Sequence, residues 1–165
     1  MSQSPFPPFD AELDLVLERM IDVPAELIWQ AWTRPEHLRE WFAPRPWSIA
    51  DCEIDLRPGG IFRTVMRSPE GQEFPSVGCY LDIVENSRLV FTDALLPGYR
   101  PTGNPFFTGI LTLGAATEGG TKYSVRLLHT DRDGRKKHEE MGFHQGWNQC
   151  LDQLVALVGQ QGRGA

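Results

Sequence analysis

Hydrophobic positions along the chain begin with period two, switch to the helical period, return to period two for most of the length, and end helical. From Glu12 to Ile21, Leu13, Leu15 and Leu17 alternate with Glu12, Asp14 and Glu18, which predicts a strand with one wet face. Pro24 suits the first turn of a helix running to Thr33, with Leu27, Ile28, Ala31 and Trp32 on its apolar side. A second short helix spans 35–42, turns Leu38, Trp41 and Phe42 inward, and stops before Pro44 and Pro46. Alternation then resumes, and 47–56, 61–67, 73–84, 88–94, 106–114 and 121–130 read as six consecutive strands. Arg57-Pro58-Gly59-Gly60, Ser68-Pro69-Glu70-Gly71 and Asn86-Ser87 punctuate them as turns, and Glu118-Gly119-Gly120 lies in the last connecting loop. Pro75 and Gly78 predict an edge or a bulge in the 73–84 strand. Residues 95–105, LLPGYRPTGNP, carry too much Pro and Gly for a regular element, so a long hairpin loop or flap beside a pocket mouth, more mobile than the strands, is expected there.

The stretch His138 to Val158 is helical in period. Phe143, Trp147, Cys150, Leu151, Leu154, Leu157 and Val158 form one stripe centred on Trp147, with Gln145, Gln149, Asp152 and Gln153 opposite. A stripe so wide needs a sheet as its partner, and Trp147 is expected to be largely buried against it. Gly142 and Gly146 each weaken a helix by about 1 kcal/mol, so they predict a close approach or a bend. Consecutive strands joined by short turns pair antiparallel. The fold class is therefore α+β: a seven-stranded curved antiparallel sheet wrapped around a long C-terminal helix, with two short helices between strands 1 and 2 and a hollow between sheet and helix.

Composition narrows the function. With 165 residues and 41% apolar content the chain is expected to form a single domain over 11–160, with flexible tails at 1–10 and 161–165. A net charge of −6 argues against a nucleic-acid partner, and the basic cluster Arg132, Arg135, Lys136 and Lys137 reads as a solvated helix start. Cys52, Cys79 and Cys150 are odd in number and widely spaced, which suggests neither a disulfide framework nor a structural zinc, and a reducing cytoplasm is the expected home. No apolar run approaches a membrane span and no signal-peptide pattern opens the chain, so a soluble, untargeted protein is expected.

Catalytic motifs are scarce. His138-Glu139-Glu140 lacks the second histidine of a zinc-protease helix, because position 142 is Gly. Ser76 has no nucleophile elbow around it, and Gly59-Gly60 lacks the Lys and the helix of a phosphate loop. Cys150, on an apolar stripe, reads as a small hydrophobe. No metal and no cofactor are expected. Aromatic residues instead recur on the inward faces, Trp32, Trp41, Phe42 and Phe107 among them. The residues expected to line a cavity on the order of 300 to 1,000 Å³ are Phe62, Thr64, Met66, Tyr80, Phe91, Leu111, Tyr123, Leu127, His129, Met141, His144 and Trp147. In that set Thr64, Tyr80, His129 and His144 are the polar contacts, suited to a ligand with a large hydrophobic body and one or two hydrogen-bonding groups.

Four segments in order, AELIWQAWTRPEHLREWFAP, DLRPGGIFRTVM, GCYLDIVENSRLVFT and KHEEMGFHQGWNQCLDQL, make residues 12–158 resemble the SRPBCC superfamily, the START-like or birch-pollen-allergen fold. Within it they are similar to the branch related to the heat-shock protein 90 ATPase activator C-terminal domain and the calicheamicin resistance proteins. The resemblance implies a helix-grip fold with a deep apolar pocket, but no one chemistry, since function resides in the site and not the fold. Three readings stay open: a carrier or receptor for a small hydrophobic molecule, a polyketide cyclase or hydrolase using His144, His129 or Tyr80 in acid-base work, and an interaction domain that stimulates a chaperone ATPase. The additional N-terminal domain that such activators carry is expected to be absent. A homodimer and a protein partner are also left open.

Overall fold

The first alternating segment becomes β1 (Asp14–Ile21), which buries Leu15, Leu17 and Ile21. The structure, a computed structural model, describes residues 6–116 and 119–163. Residues 1–5 and 164–165 of the expected tails, and Glu118 of the last loop, lie outside the described residues. Pro24 caps α1 (Ala25–Thr33), whose Ile28, Trp29, Ala31 and Trp32 are buried. α2 (Pro35–Leu38) is shorter than the expected 35–42. Trp41 turns under α1 and donates its indole N–H to the Ala31 carbonyl at 2.9 Å, and that burial takes precedence over another helical turn.

The remaining strands are β2 (Ser48–Ile54), β3 (Ile61–Arg67), β4 (Glu73–Val84), β5 (Arg88–Thr92), the short β6 (Leu95–Leu96) and β7 (Arg100–Pro101), β8 (Thr108–Ala115) and β9 (Thr121–Leu128). The sheet is seven-stranded, in the order β1-β9-β8-β5-β4-β3-β2, and antiparallel throughout. α1 and α2 thus carry the chain from one edge of the sheet to the other. The bulge expected in the fourth strand falls at Tyr80–Asp82, where the register against β5 shifts.

The expected flap is a small hairpin of β6 and β7 fastened to the β2–β3 turn. The Gly98 N–H donates to the Gly59 carbonyl at 2.8 Å, and the Thr102 N–H donates to Ala94 at 2.9 Å. The Tyr99 ring covers Gly59 so closely that a Cβ there would sit 3.0 Å from it, at a φ of +79° that also favours glycine. At the other end, described residues of the expected N-terminal tail lie along the sheet, with Arg126 donating to the Pro7 carbonyl at 2.7 Å.

One helix was expected over 138–158, and two are present: α3 (Arg132–Glu140) and α4 (Phe143–Arg163). Asp131 caps α3 by accepting from the Gly134 N–H at 2.8 Å. Gly142, at φ +97°, ends it, with the Met141 and Gly142 N–H groups closing on Lys137 and Glu139. Gly146 has open space where a Cβ would stand, so the break belongs to Gly142 alone. α4 continues to Arg163, past residue 160.

α4 lays Phe143, Cys150, Leu151, Leu154 and Val158 into the core, while Trp147 is only half-buried. Its polar side has work to do as well. Gln153 donates to the Trp41 and Ala43 carbonyls at 3.0 and 2.9 Å and accepts from the Arg45 N–H at 3.0 Å. Gln149 donates to the Arg45 carbonyl at 2.9 Å. The chain after α2 is thereby clamped to α4, which fixes Phe42.

The centre is aromatic. Trp32 is fully buried, with Trp41, Phe42, Phe91 and Trp147 at centroid distances of 5.1, 5.4, 5.7 and 6.4 Å. Phe91 reaches this position because its partner on β8 is Gly109, whose missing Cβ would overlap the Phe91 ring. Gly109→Ala is expected to lower stability by about 1–3 kcal/mol through overpacking. Chemical denaturation checks it, and an unchanged midpoint would show that the Phe91 ring is not locked in place.

Candidate functional site

The alternation of β3 puts Phe62 and Thr64 on one face, with Arg63 turned to the other and paired with Asp51 at 2.6 Å. Register then sets Phe62 opposite Gly78 and Thr64 opposite Ser76 on β4, and Phe91 on β5 opposite Tyr80. A Cβ on Gly78 would run into the Thr92 carbonyl, so glycine is what allows β4 to pass there. Phe42 enters from the clamped connection after α2, and Phe106 and Phe107 enter from the segment before β8. These side chains, with Thr92 and Asp93, surround a cavity of about 70 Å³ that opens to solvent.

That void is far smaller than the 300 to 1,000 Å³ or so typical of ligand pockets and expected from the sequence. It also lies at the β3–β4–β5 end of the sheet, with no α4 residue in its lining among the described residues. The hollow expected between sheet and helix is filled by side chains. Leu111, Tyr123 and Leu127 are packed in the core with Trp32. The Tyr123 hydroxyl accepts the Trp32 indole N–H at 3.2 Å, and burial pushes its pKa up. Tyr80 stacks on Phe62 at 5.3 Å and 18°, its hydroxyl buried with no hydrogen-bond partner among the described residues and its pKa raised by that burial.

Of the expected lining, then, Phe62, Thr64 and Phe91 meet at the cavity, while Tyr80, Leu111, Tyr123 and Leu127 are core. Trp147 stands behind Phe42 and Phe107 at 6.0 and 6.3 Å. Met66 is half-buried farther along β3, opposite Phe74. Met141 is 67% exposed at the break between α3 and α4. His144 is exposed and lies 3.3 Å from Glu139. The Gly142 break resets the helical phase, which is why a continuous 3.6-residue count misplaces Met141, whereas His144, in the first turn of α4, lies on that helix's exposed side. Cys150 fits its reading as a hydrophobe, since burial pushes its thiol up to about 12.

Sequence reasoning left Asp93, Phe106 and His138 out of the site altogether. Asp93 follows β5 and accepts from the Phe106 N–H at 2.9 Å on both oxygens and from the Phe107 N–H at 3.2 Å. Thr102 donates to its carbonyl at 2.8 Å. Burial raises the Asp93 carboxyl, an effect that these backbone donors oppose.

Behind Phe106 and Phe107 lies a buried histidine pair. His129 Nδ1 meets the Leu13 carbonyl at 2.9 Å, so it carries a hydrogen, and with both rings neutral His129 Nε2 accepts from His138 Nδ1 at 2.9 Å. The His138 ring packs on Phe106 and Phe107 at 4.4 and 5.3 Å. Burial, and then the neighbouring His129, lowers the His138 pKa to about 4. Because the unfolded ring titrates near 6.5, the unfolded chain takes up the proton first. Stability from this group is therefore complete above pH 6.5 and falls as the pH drops toward 4, by roughly 3 kcal/mol in all. Denaturation of the parent and of His138→Gln across this range checks the assignment. The variant should show a shallower slope, and parallel losses in the two proteins would contradict it.

Among the described residues no helix is long and apolar enough to cross a membrane. A family model described as "Activator of Hsp90 ATPase homolog 1-like protein" matches residues 22–159. No curated protein matches the chain. Among solved structures, a protein from Nitrosomonas europaea is 46% identical, with a TM-score of 0.90 over 94% of this chain and 99% of that one. A Mycobacterium smegmatis protein shares the fold at 22% identity, with a TM-score of 0.74 over 89% and 91% of the two chains. The AHSA1 protein from Silicibacter pomeroyi does so at 21% identity, with a TM-score of 0.67 over 90% and 99%. With a helix-grip α+β fold in place and the family match running from the end of β1 to near the end of α4, the chain belongs to the activator of Hsp90 ATPase homolog 1-like family of START-like proteins.

Proposed function

We propose that this protein binds a small molecule in the phenylalanine-lined cavity, with the exposed Phe106 ring as the part of the wall that moves. The reading is carried by the lining: Phe42, Phe62, Phe91, Phe106 and Phe107 enclose a void that also reaches the Thr64 side chain, which is buried and has no hydrogen-bond partner among the described residues. Apolar walls with one or two orienting polar groups are the usual make-up of small-molecule sites. Phe106 is 40% exposed, and the 106–107 segment is held from below by Asp93 and the His138 ring. A turn of the Phe106 ring toward solvent enlarges the mouth without disturbing the core around Trp32.

A volume near 70 Å³ favours a compact ligand, or one compact end of a longer ligand. The histidine pair supports this reading more than a cyclase or hydrolase reading, because its hydrogen bonds run inward to Leu13 and between the two rings. Its role is to back the phenylalanine wall.

Benzyl alcohol, an aromatic ring with one hydroxyl, is a suitable probe. In an amide NMR titration it should shift Thr64, Phe91, Phe106 and Phe107 saturably. Thr64→Trp, which fills the cavity, should abolish those shifts while lowering stability by about 1–3 kcal/mol. Shifts scattered over the surface without saturation would dismiss the site.

A further inference from the structure

The cavity lining includes one charged residue, Asp93, whose carboxylate anchors the 106–107 segment but whose charge the binding reading leaves without a partner. Among the described residues it enters no ion pair. The arginines of the neighbouring strands are engaged elsewhere, Arg63 with Asp51, Arg67 with Glu73 and Arg88 with Asp82. Its hydrogen bonds come from the backbone N–H groups of Phe106 and Phe107, which hold the loop but do not neutralise the charge. Half-buried and raised in pKa by burial, the ionised carboxylate is disfavoured in the fold, and a cation beside it would offset that.

The walls suit the same charge. With Phe62 and Phe91 at 86°, Phe91 and Phe107 at 75°, and Phe106 and Phe107 at 68°, these rings stand edge to face with one another around the cavity, and one face of Phe62 is taken by the Tyr80 ring. Ring faces carry the negative part of the aromatic quadrupole and attract cations, most strongly where water is excluded. The volume, about 70 Å³, suits a compact head group and not a large ligand body.

We infer that, on the binding reading of this cavity, its preferred occupant is a small molecule bearing a compact alkylammonium group, seated among the phenylalanines with its charge against the Asp93 carboxylate. A methylated ammonium fits better than a primary amine, because the carboxylate oxygens already accept backbone hydrogen bonds and a methylated head asks for few. The net charge of −6 adds a long-range attraction for such a ligand.

The test uses the full chain, choline chloride, and 3,3-dimethylbutan-1-ol, the uncharged molecule of nearly the same shape, at matched ionic strength. Both are titrated by NMR on the Phe106 and Phe107 amides. Choline should bind at least tenfold more tightly than the alcohol. Asp93→Asn, which keeps an acceptor for the Phe106 N–H, should bring the two affinities together. Phe106→Leu, at an exposed position, should weaken choline several-fold while leaving the alcohol within twofold. If the alcohol binds the parent as well as choline does, the cation inference is overturned while the binding reading stands. A choline preference that survives Asp93→Asn unchanged overturns the part given to the carboxylate. Failure of both ligands to move these amides removes the binding reading and this inference with it. Should Asp93→Asn not fold, the parent ratio and Phe106→Leu decide.

Discussion

The burial of Trp32 is the constraint on which the rest of this molecule depends. Its indole is fully inside, and its N–H has a partner only because the Tyr123 hydroxyl of β9 stands 3.2 Å away. Without that bond a buried donor would cost about 1–3 kcal/mol, and so would the acceptor it leaves. Around this pair α1, the connection after α2, β5 and α4 each contribute an aromatic ring or an aliphatic neighbour. The helix grips the sheet through these rings, and they occupy the middle of the grip.

A consequence of that filling is where the open space falls. Aromatic side chains bury about 150–250 Å² each, and several placed at the centre with Leu111 and Leu127 take up the middle of the space between α4 and the sheet. The void moves to the β3–β4–β5 end, where Gly78 and Gly109 let strands and rings approach. The residues at that end are then supported twice. Asp93 ties the start of β8 through the Phe106 and Phe107 N–H groups, and the histidine pair backs the same two rings. Gln153 and Gln149 hold the opposite wall by clamping the backbone next to Phe42.

The fold was legible because alternation and turn residues are local signals. Each predicted strand exists, the fourth strand carries its bulge, and the stripe on α4 faces the core. The lining of the candidate site was legible only on strands: period two is enough to turn Phe62, Thr64 and Phe91 inward. It failed on the helix, because the Gly142 break separates Met141 from the register of Trp147, and His144, at the border of the α4 stripe, falls on the exposed side. It also failed where the candidate site depends on long-range partners. Nothing local marks Asp93 as a loop anchor 13 residues before Phe106, or pairs His129 with His138 in the last turn of α3. Cavity size is least legible of all, since the inward residues that line a hollow are the same kinds that fill one.

Xenon tests this account most directly, because it settles in apolar voids that water leaves empty. In crystals held under xenon pressure, we expect a xenon site among Phe42, Phe62, Phe91 and Phe107, and none along the inner face of α4. Xenon atoms lodged between α4 and the strands, beside Tyr123 or Leu127, would contradict the account by showing that the grip is hollow where Trp32 and its neighbours are held to fill it.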